Sequence, residues 1–364
     1  MKIAEITRYL EQLCPLSFQE DYDNCGLLVG DPDTTITGSL LCLDVTREVM
    51  NEAIEKGCNL IISHHPFLFK GLKRLTPGKL ETEILTGAIL NNIAIYAIHT
   101  NLDNTLEGLN AWILSLIGVE NHRILSPKQG VFSKLAVFCP LEKSEEVRQT
   151  MFDAGAGHIG NYDRCSYNIQ GEGTFRALDN ANPYIGKKFQ MHTERELRIE
   201  VICPRHLEQK IVRAMIAAHP YEEVAYDIYP LLNDAAKTGA GLIGLLKTPV
   251  PEQEFLQWLK IKLDLKVIRH SPLRGRLIKT VAICSGSGSF LIAEAIGAKA
   301  DIYLTADLKY HDFFDLENRI LLADIGHYES ECGVKDWLYA TLIEKFPNFA
   351  FLISEINTNP VHYF

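Results

Sequence analysis

Apolar residues recur in two alternating rhythms along the first third of the chain. The short runs SLLCLDV (39–45), CNLIIS (58–63) and IAIYAIH (93–99) have the length and composition of buried strands. TREVMNEAIEKG (46–57) and EGLNAWILSLIG (107–118) instead space their apolar positions for helices. Alternation of this kind predicts an α/β fold whose strands run largely parallel. After residue 245 the rhythm returns in LIKTVAICS, a Gly/Ser turn, FLIAEAIGAK, DIYLTAD, ILLADIG and a helix carrying Trp337.

The likeness between these two regions extends to single residues. Displaced by 242 positions, residues 40–63 lie on 282–305 without a gap, setting Cys42 on Cys284 and Glu52-Ala53-Ile54 on Glu294-Ala295-Ile296. Gly108–Trp112 and Gly333–Trp337 form a further pair in the same order. The expectation is two pseudo-symmetric α/β lobes, 1–125 and 236–364, forming one core domain with a ligand site between them. The middle segment, 126–235, reads differently. A turn-rich SPKQG precedes strand, helix, one long strand or two, strand, helix and strand, and NDAAKTGAG (233–241) has linker composition. That βαββαβ order predicts an inserted ferredoxin-like α+β domain.

Charge and cysteine content narrow the function classes. With 46 acidic against 36 basic residues the net charge is −10, which disfavours a nucleic-acid binder. No apolar run approaches the roughly 20 residues of a membrane span. The opening MKIAEITRYLEQLCPL reads as an amphipathic helix and not as a signal peptide. Nine scattered cysteines without a C-x-x-C pair read as reduced thiols, so a cytoplasmic protein is expected.

Chemistry concentrates where the predicted strands end. LIISHHP (60–66) delivers two adjacent imidazoles, His64 and His65, and Pro66 supplies the turn that lets both serve one site. IAIYAIH runs into T-N-L-D, placing His99 and Asp103 at another strand's carboxyl end, the edge where open α/β sheets bind ligands. Taken alone, Asp103 is as well explained as a helix cap. ILLADIGHYESE supplies His327 and Glu331, which share one face of a helix beginning near Gly326. Together His64, His65, Asp103, His327 and Glu331 offer nitrogen and oxygen donors and no thiolate. Such a set suits Zn²⁺, Fe²⁺, Mn²⁺, Co²⁺ or Ni²⁺ and is too rich in imidazole for Ca²⁺ or Mg²⁺. Two carboxylates able to bridge favour two divalent ions, about 3.5–4 Å apart as in two-metal hydrolases.

The chain also resembles a known family. YDNCGLLVGD (22–31), CLDVT (42–46), SHHPFLF (63–69), HTNLD (99–103), SGSGS (285–289), LTADLKYHD (304–312) and DIGHYESE (324–331) match the NIF-three-like family, whose members often carry the name GTP cyclohydrolase I type 2 homologue. The central segment resembles the additional domain of its longer members. The resemblance implies a two-metal site on the same five residues and a ring-shaped homohexamer with its sites facing a central cavity. Ser285 and Tyr22 depart from the family's usual glycine and tryptophan, and neither is among the five.

Further candidates surround that set. His99 is placed to orient a ligand or shuttle a proton. Lys70, Asp307 and His311 are candidate substrate contacts, Lys70 in a basic loop with Lys73 and Arg74, and Asp307 aligned with His65. SGSGS offers backbone N–H groups to a phosphate but reads better as a tight turn, since it lacks the P-loop ending. His219, Glu222 and Glu223 have no partner motif and read as structural or interface residues. No Ser or Cys nucleophile constellation stands out, which suits direct attack by water. The leading expectation is a metal-dependent hydrolase acting on a nucleotide-like substrate, of GTP cyclohydrolase type by the resemblance. The alternative is a hexameric metal-binding regulatory or partner-binding protein without turnover.

Overall fold

The strands Ser39–Cys42, Leu60–Ser63 and Ala94–Ala97 are buried at every residue, as continuous apolar runs in a covered parallel sheet should be. The structure is a computed structural model, and it describes residues 1–314, 316 and 318–364. Its packing divides the chain into two units, Met1–Pro127 with Lys237–Phe364, and Lys128–Ala236.

The first unit is mixed α/β and contains two sheets. One has the order Gly26–Val29, Ala94–Ala97, Leu60–Ser63, Ser39–Cys42, Phe351–Ile353, with the last four parallel and Gly26–Val29 antiparallel at the edge. The other has the order Arg269–His270, Leu321–Asp324, Ile302–Ala306, Leu277–Ser287, Gly239–Pro251, Val119–Pro127. Its Leu277–Ser287, Ile302–Ala306 and Leu321–Asp324 strands are parallel, and antiparallel strands flank them. One apolar cluster runs through both sheets, from Leu41, Leu60 and Tyr96 to Ile283, Leu304 and Leu321.

The two sheets do not divide the chain at one point. Phe351–Ile353 joins the sheet of the N-terminal region, and Val119–Pro127 joins that of the C-terminal region. Each sheet thus borrows an edge strand that a linear division into lobes assigns elsewhere, and the exchange ties the first and last parts of the chain into one core.

In the second unit, Ser166–Arg176, Met191–Pro204, Phe132–Pro140 and Tyr226–Leu231 form an antiparallel sheet in that order. Helices Ser144–Asp153 and Glu208–Ala218 bury Val147, Met151, Ile211 and Met215 against Leu135, Val137, Ile199 and Val201. Among the described residues, no helix covers the opposite face of the sheet. Among the described residues, no helix is long and apolar enough to cross a membrane.

Candidate metal centre

Three strands of the first unit, Leu60–Ser63, Ala94–Ala97 and Leu321–Asp324, end in polar residues that converge. The His64 and His65 amides continue the ladder onto the carbonyls of Cys42 and Leu43, at 3.2 and 2.9 Å, before Pro66 turns the chain away. The two rings lie 5.0 Å apart, so adjacent residues do reach one site.

His64 is fully buried, and its Nδ1–H donates to the Ile98 carbonyl at 2.8 Å. A carbonyl only accepts, so this bond assigns the tautomer and leaves Nε2 as a lone pair. Desolvation drives the His64 pKa down to about 3, so the ring is neutral. Nε2 has no hydrogen-bond partner, and neither does the equally buried Asp103 Oδ1. These two atoms are 3.8 Å apart, and Glu331 Oε1 is 3.9 Å from Nε2. Buried polar atoms left bare in this way are costly, and three Lewis bases facing one another call for a cation. Burial, and then the Glu331 charge, push the Asp103 carboxyl well above its ordinary range. Asp103 does not cap the next helix, Leu109–Leu116, whose N-cap is Gly108.

Glu331 forms the hub of the cluster. The left-handed Gly326 (φ 87°) starts the helix His327–Glu331, whose pitch brings His327 and Glu331 onto one face. Glu331 Oε2 lies 2.9 Å from His65 Nε2 and 3.0 Å from His327 Nε2. Each of those rings is held from behind by a carboxylate, His65 Nδ1 by Asp44 and His327 Nδ1 by Asp307, both at 2.7 Å. Asp44 also accepts from Thr358 at 2.5 Å, and Asp307 from Ser287. A carboxylate behind a histidine is the common device for orienting a metal ligand. Burial works against a charged His65, but its bonds to Asp44 and Glu331 raise its pKa to about 10. The Glu331 bond, against partial burial, lifts His327 to about 9. Burial alone would raise Glu331, yet hydrogen bonds from His327 and His65 hold it well below the carboxylate range. In this state protons on two imidazoles supply the positive charge the cluster demands.

His99 joins the same group. Donor atoms of His64, His65 and His99 lie within 4.8 Å of one another, as do those of His65, His327 and Glu331. Asp23, whose side chain is fully buried, accepts from His99 Nδ1 at 2.9 Å and also from Thr100 and Cys25. The cluster opens into a cavity of about 740 Å³ lined by His65, His99, Asp103, His327 and Glu331. Asp307 and His327 also border a smaller cavity of about 370 Å³ against the C-terminal segment. Cys284 lines the larger cavity, but burial raises its thiol to about 12 and keeps it neutral.

Two expected substrate contacts lie elsewhere. Lys70 sits in an exposed loop and does not line either cavity, whereas its neighbour Phe69 does. His311 packs against Tyr310 and Phe314 and lines a separate depression. The SGSGS segment, expected as a tight turn, is instead the end of strand Leu277–Ser287 running into the short helix Ser289–Leu291, and it is not a phosphate cradle. The amides of Ser285, Gly286 and Gly288 are consumed by Asn110, Ser330 and Thr305. Asp44 and Asp23 fall outside the residues that the sequence marks for the site, although Asp44 closes a predicted strand just as His65 does.

Gly286 has a direct part in the cluster. Its φ is +62°, and a Cβ there would lie 2.2 Å from Glu331 Oε1. Gly286→Ala is therefore expected to displace the hub carboxylate, lowering metal content and costing at least about 1 kcal/mol of stability. Elemental analysis and denaturant unfolding read the two effects separately.

The family model described as Duf34/NIF3 (NGG1p interacting factor 3) matches residues 1–360. A Bacillus subtilis (strain 168) protein named GTP cyclohydrolase 1 type 2 homolog is 36% identical over 361 residues, covering 98% of this chain and 97% of that one. A Staphylococcus epidermidis protein of the same name is 34% identical over 367 residues, spanning the whole of both chains. Among solved structures, a Bacillus cereus protein related to NIF3 superposes with a TM-score of 0.83 at 36% identity, over 100% of this chain and 99% of that one. A Staphylococcus aureus protein superposes with a TM-score of 0.79 at 30% identity and the same coverage.

Proposed function

This chain belongs to the Duf34/NIF3 family, and from that premise we propose that it binds two divalent ions and is a metal-dependent hydrolase acting on a nucleotide-like substrate. One observation supports this reading most. His64 Nε2 and Asp103 Oδ1 are buried electron-pair donors with nothing to bind. His64, His65, Asp103, His327 and Glu331 would hold the ions, Glu331 being the carboxylate whose two oxygens face all three imidazoles. Three imidazoles and two carboxylates suit Zn²⁺, Fe²⁺, Mn²⁺, Co²⁺ or Ni²⁺. Such ions, when bound, lower the pKa of a water molecule and polarise the group under attack.

The chain's own residues orient, shape the cavity and move protons. Asp44 and Asp307 fix the His65 and His327 tautomers so that both Nε2 atoms face Glu331. Asp23 does the same for His99, leaving Nε2 of that ring to accept a proton in the cavity. Asp23→Asn is expected to lower kcat about 10²- to 10⁴-fold while metal content stays that of the wild type. A parallel loss of metal would make Asp23 a support of the ligands instead.

The name of the relatives points to GTP, and a cavity of about 740 Å³ is of the size that takes such a molecule. The test is formate release from GTP by protein loaded with each of the five metals in turn. Turnover that depends on metal and is lost in His65→Ala supports the enzyme. No formate with any metal overturns GTP ring opening and leaves the regulatory metal-binding reading in its place.

The proposal includes the wider architecture. Lobes 1–125 and 236–364 are read as pseudo-symmetric because the displaced alignment lays Arg47–Glu55 over the segment containing Ile292–Gly297, and Leu60–Ser63 over Ile302–Ala306. Segment 126–235 is read as ferredoxin-like from its βαββαβ order and its sheet order. A cytoplasmic homohexamer follows from the family resemblance, and light scattering should return six times the 41.0 kDa chain mass.

A further inference from the structure

The second unit contains a cavity of about 1200 Å³ that the metal chemistry does not use. Its floor is the helix-free face of the sheet. Gly171 and Gly173 lie there opposite Glu196 and Glu194; the position at Gly171 is open, and the Glu196 carboxylate lies over Gly173. Phe138, Phe175, Tyr184 and Tyr221 wall the space, with Tyr221 6.2 Å from each of Phe175 and Tyr184 between ring centres. The roof is tied down. Asn182 N–H donates to Glu222 at 2.7 Å, and the Tyr184 hydroxyl donates to Glu142 at 3.0 Å. An open strand position at Gly171, beside the Glu196 carboxylate and between aromatic walls, fits a flat ring.

Polar groups restrict the ring's chemistry. Glu196 already accepts from Tyr221 through Oε1 at 2.9 Å, which positions its carboxylate on the cavity wall as an acceptor. Arg198 lies over Phe138 at 5.7 Å and pairs with Glu200, while its buried Nε–H has no partner. The wall therefore presents an acceptor within an aromatic enclosure. Glu172, Asp179, Glu196, Glu222 and Glu223 line it against Arg176 and Arg198 alone, which repels phosphate. We propose that this cavity binds an unphosphorylated nucleoside, the base lying over Gly171 with its amino edge toward Glu196.

Metal-stripped full-length protein titrated calorimetrically with adenosine, guanosine and adenosine monophosphate tests the assignment. One of the two nucleosides should bind, and the monophosphate should bind at least about tenfold more weakly than adenosine or not at all. Gly171→Val is the blocking variant. Its Cβ meets nothing within 4 Å, and valine suits a strand, so the fold is kept while the floor is filled. Nucleoside affinity should fall at least about tenfold in this variant. Glu196→Gln, which keeps an acceptor for Tyr221, should weaken binding as well. Absence of nucleoside binding, binding unchanged in Gly171→Val, or a preference for the monophosphate would each overturn the proposal. So would a change in oligomeric mass in Gly171→Val without nucleoside binding, which would make this face a contact between copies of the chain.

Discussion

Replacing Glu331 by glutamine should strip both ions from the protein and abolish any metal-dependent turnover. Its carboxylate approaches three imidazoles, with Oε2 on His65 and His327 and Oε1 facing His64. The amide keeps the shape but loses the charge that holds protons or metals on the opposing rings. A carboxylate that only orients a ligand should matter less, so Asp44→Asn and Asp307→Asn are expected to cost about 10- to 100-fold in affinity. The Glu331 variant should exceed both, by elemental analysis after equilibration with limiting metal. If it retained two ions per chain, the hub role would be wrong. Thermal unfolding adds a second reading. Stripped wild type and the variant should both fold, because losing the imidazolium protons relieves the charge the variant leaves unpaired.

The second large effect is with pH. A ligating imidazole must be neutral, yet His65 and His327 are held protonated up to about 10 and about 9. Metal uptake near neutral pH must displace both protons, so affinity should rise about a hundredfold per pH unit until the pH nears the lower of those values. Calorimetry in buffers of different ionisation enthalpy should count at least two protons released per chain. The stripped protein should behave in the opposite sense. A raised histidine pKa contributes stability that is complete below the unfolded value of about 6.5 and is lost as pH climbs through the folded values. Apo protein should thus soften between about 6.5 and 10, while metal-loaded protein should not. A pH-independent affinity would mean that these rings are not ligands.

The parts of the site that are local in the chain are the parts legible in the sequence. His64 and His65 announce themselves at a strand exit beside a proline, and the spacing of His327 and Glu331 is one helical turn. The groups behind them are not legible. Asp44 is 21 residues from His65, Asp23 is 76 from His99, and Thr358 is 314 from Asp44. Those pairings exist only once strands from distant parts of the chain stand side by side. Lys70 and His311 show the converse, since nearness in sequence to a candidate ligand does not aim a side chain at the site. The borrowed edge strand Phe351–Ile353 carries no signal of its destination either, because a three-residue apolar run fits any sheet.

Metal stoichiometry tests the central claim most directly. Chelator-stripped full-length protein, reloaded separately with Zn²⁺, Fe²⁺, Mn²⁺, Co²⁺ and Ni²⁺ and freed of excess ion, should retain two ions per chain with at least one of these metals. His64→Ala and His327→Ala should each lower that number. Zero or one ion per chain with every metal, or two ions that persist in both variants, would contradict the account.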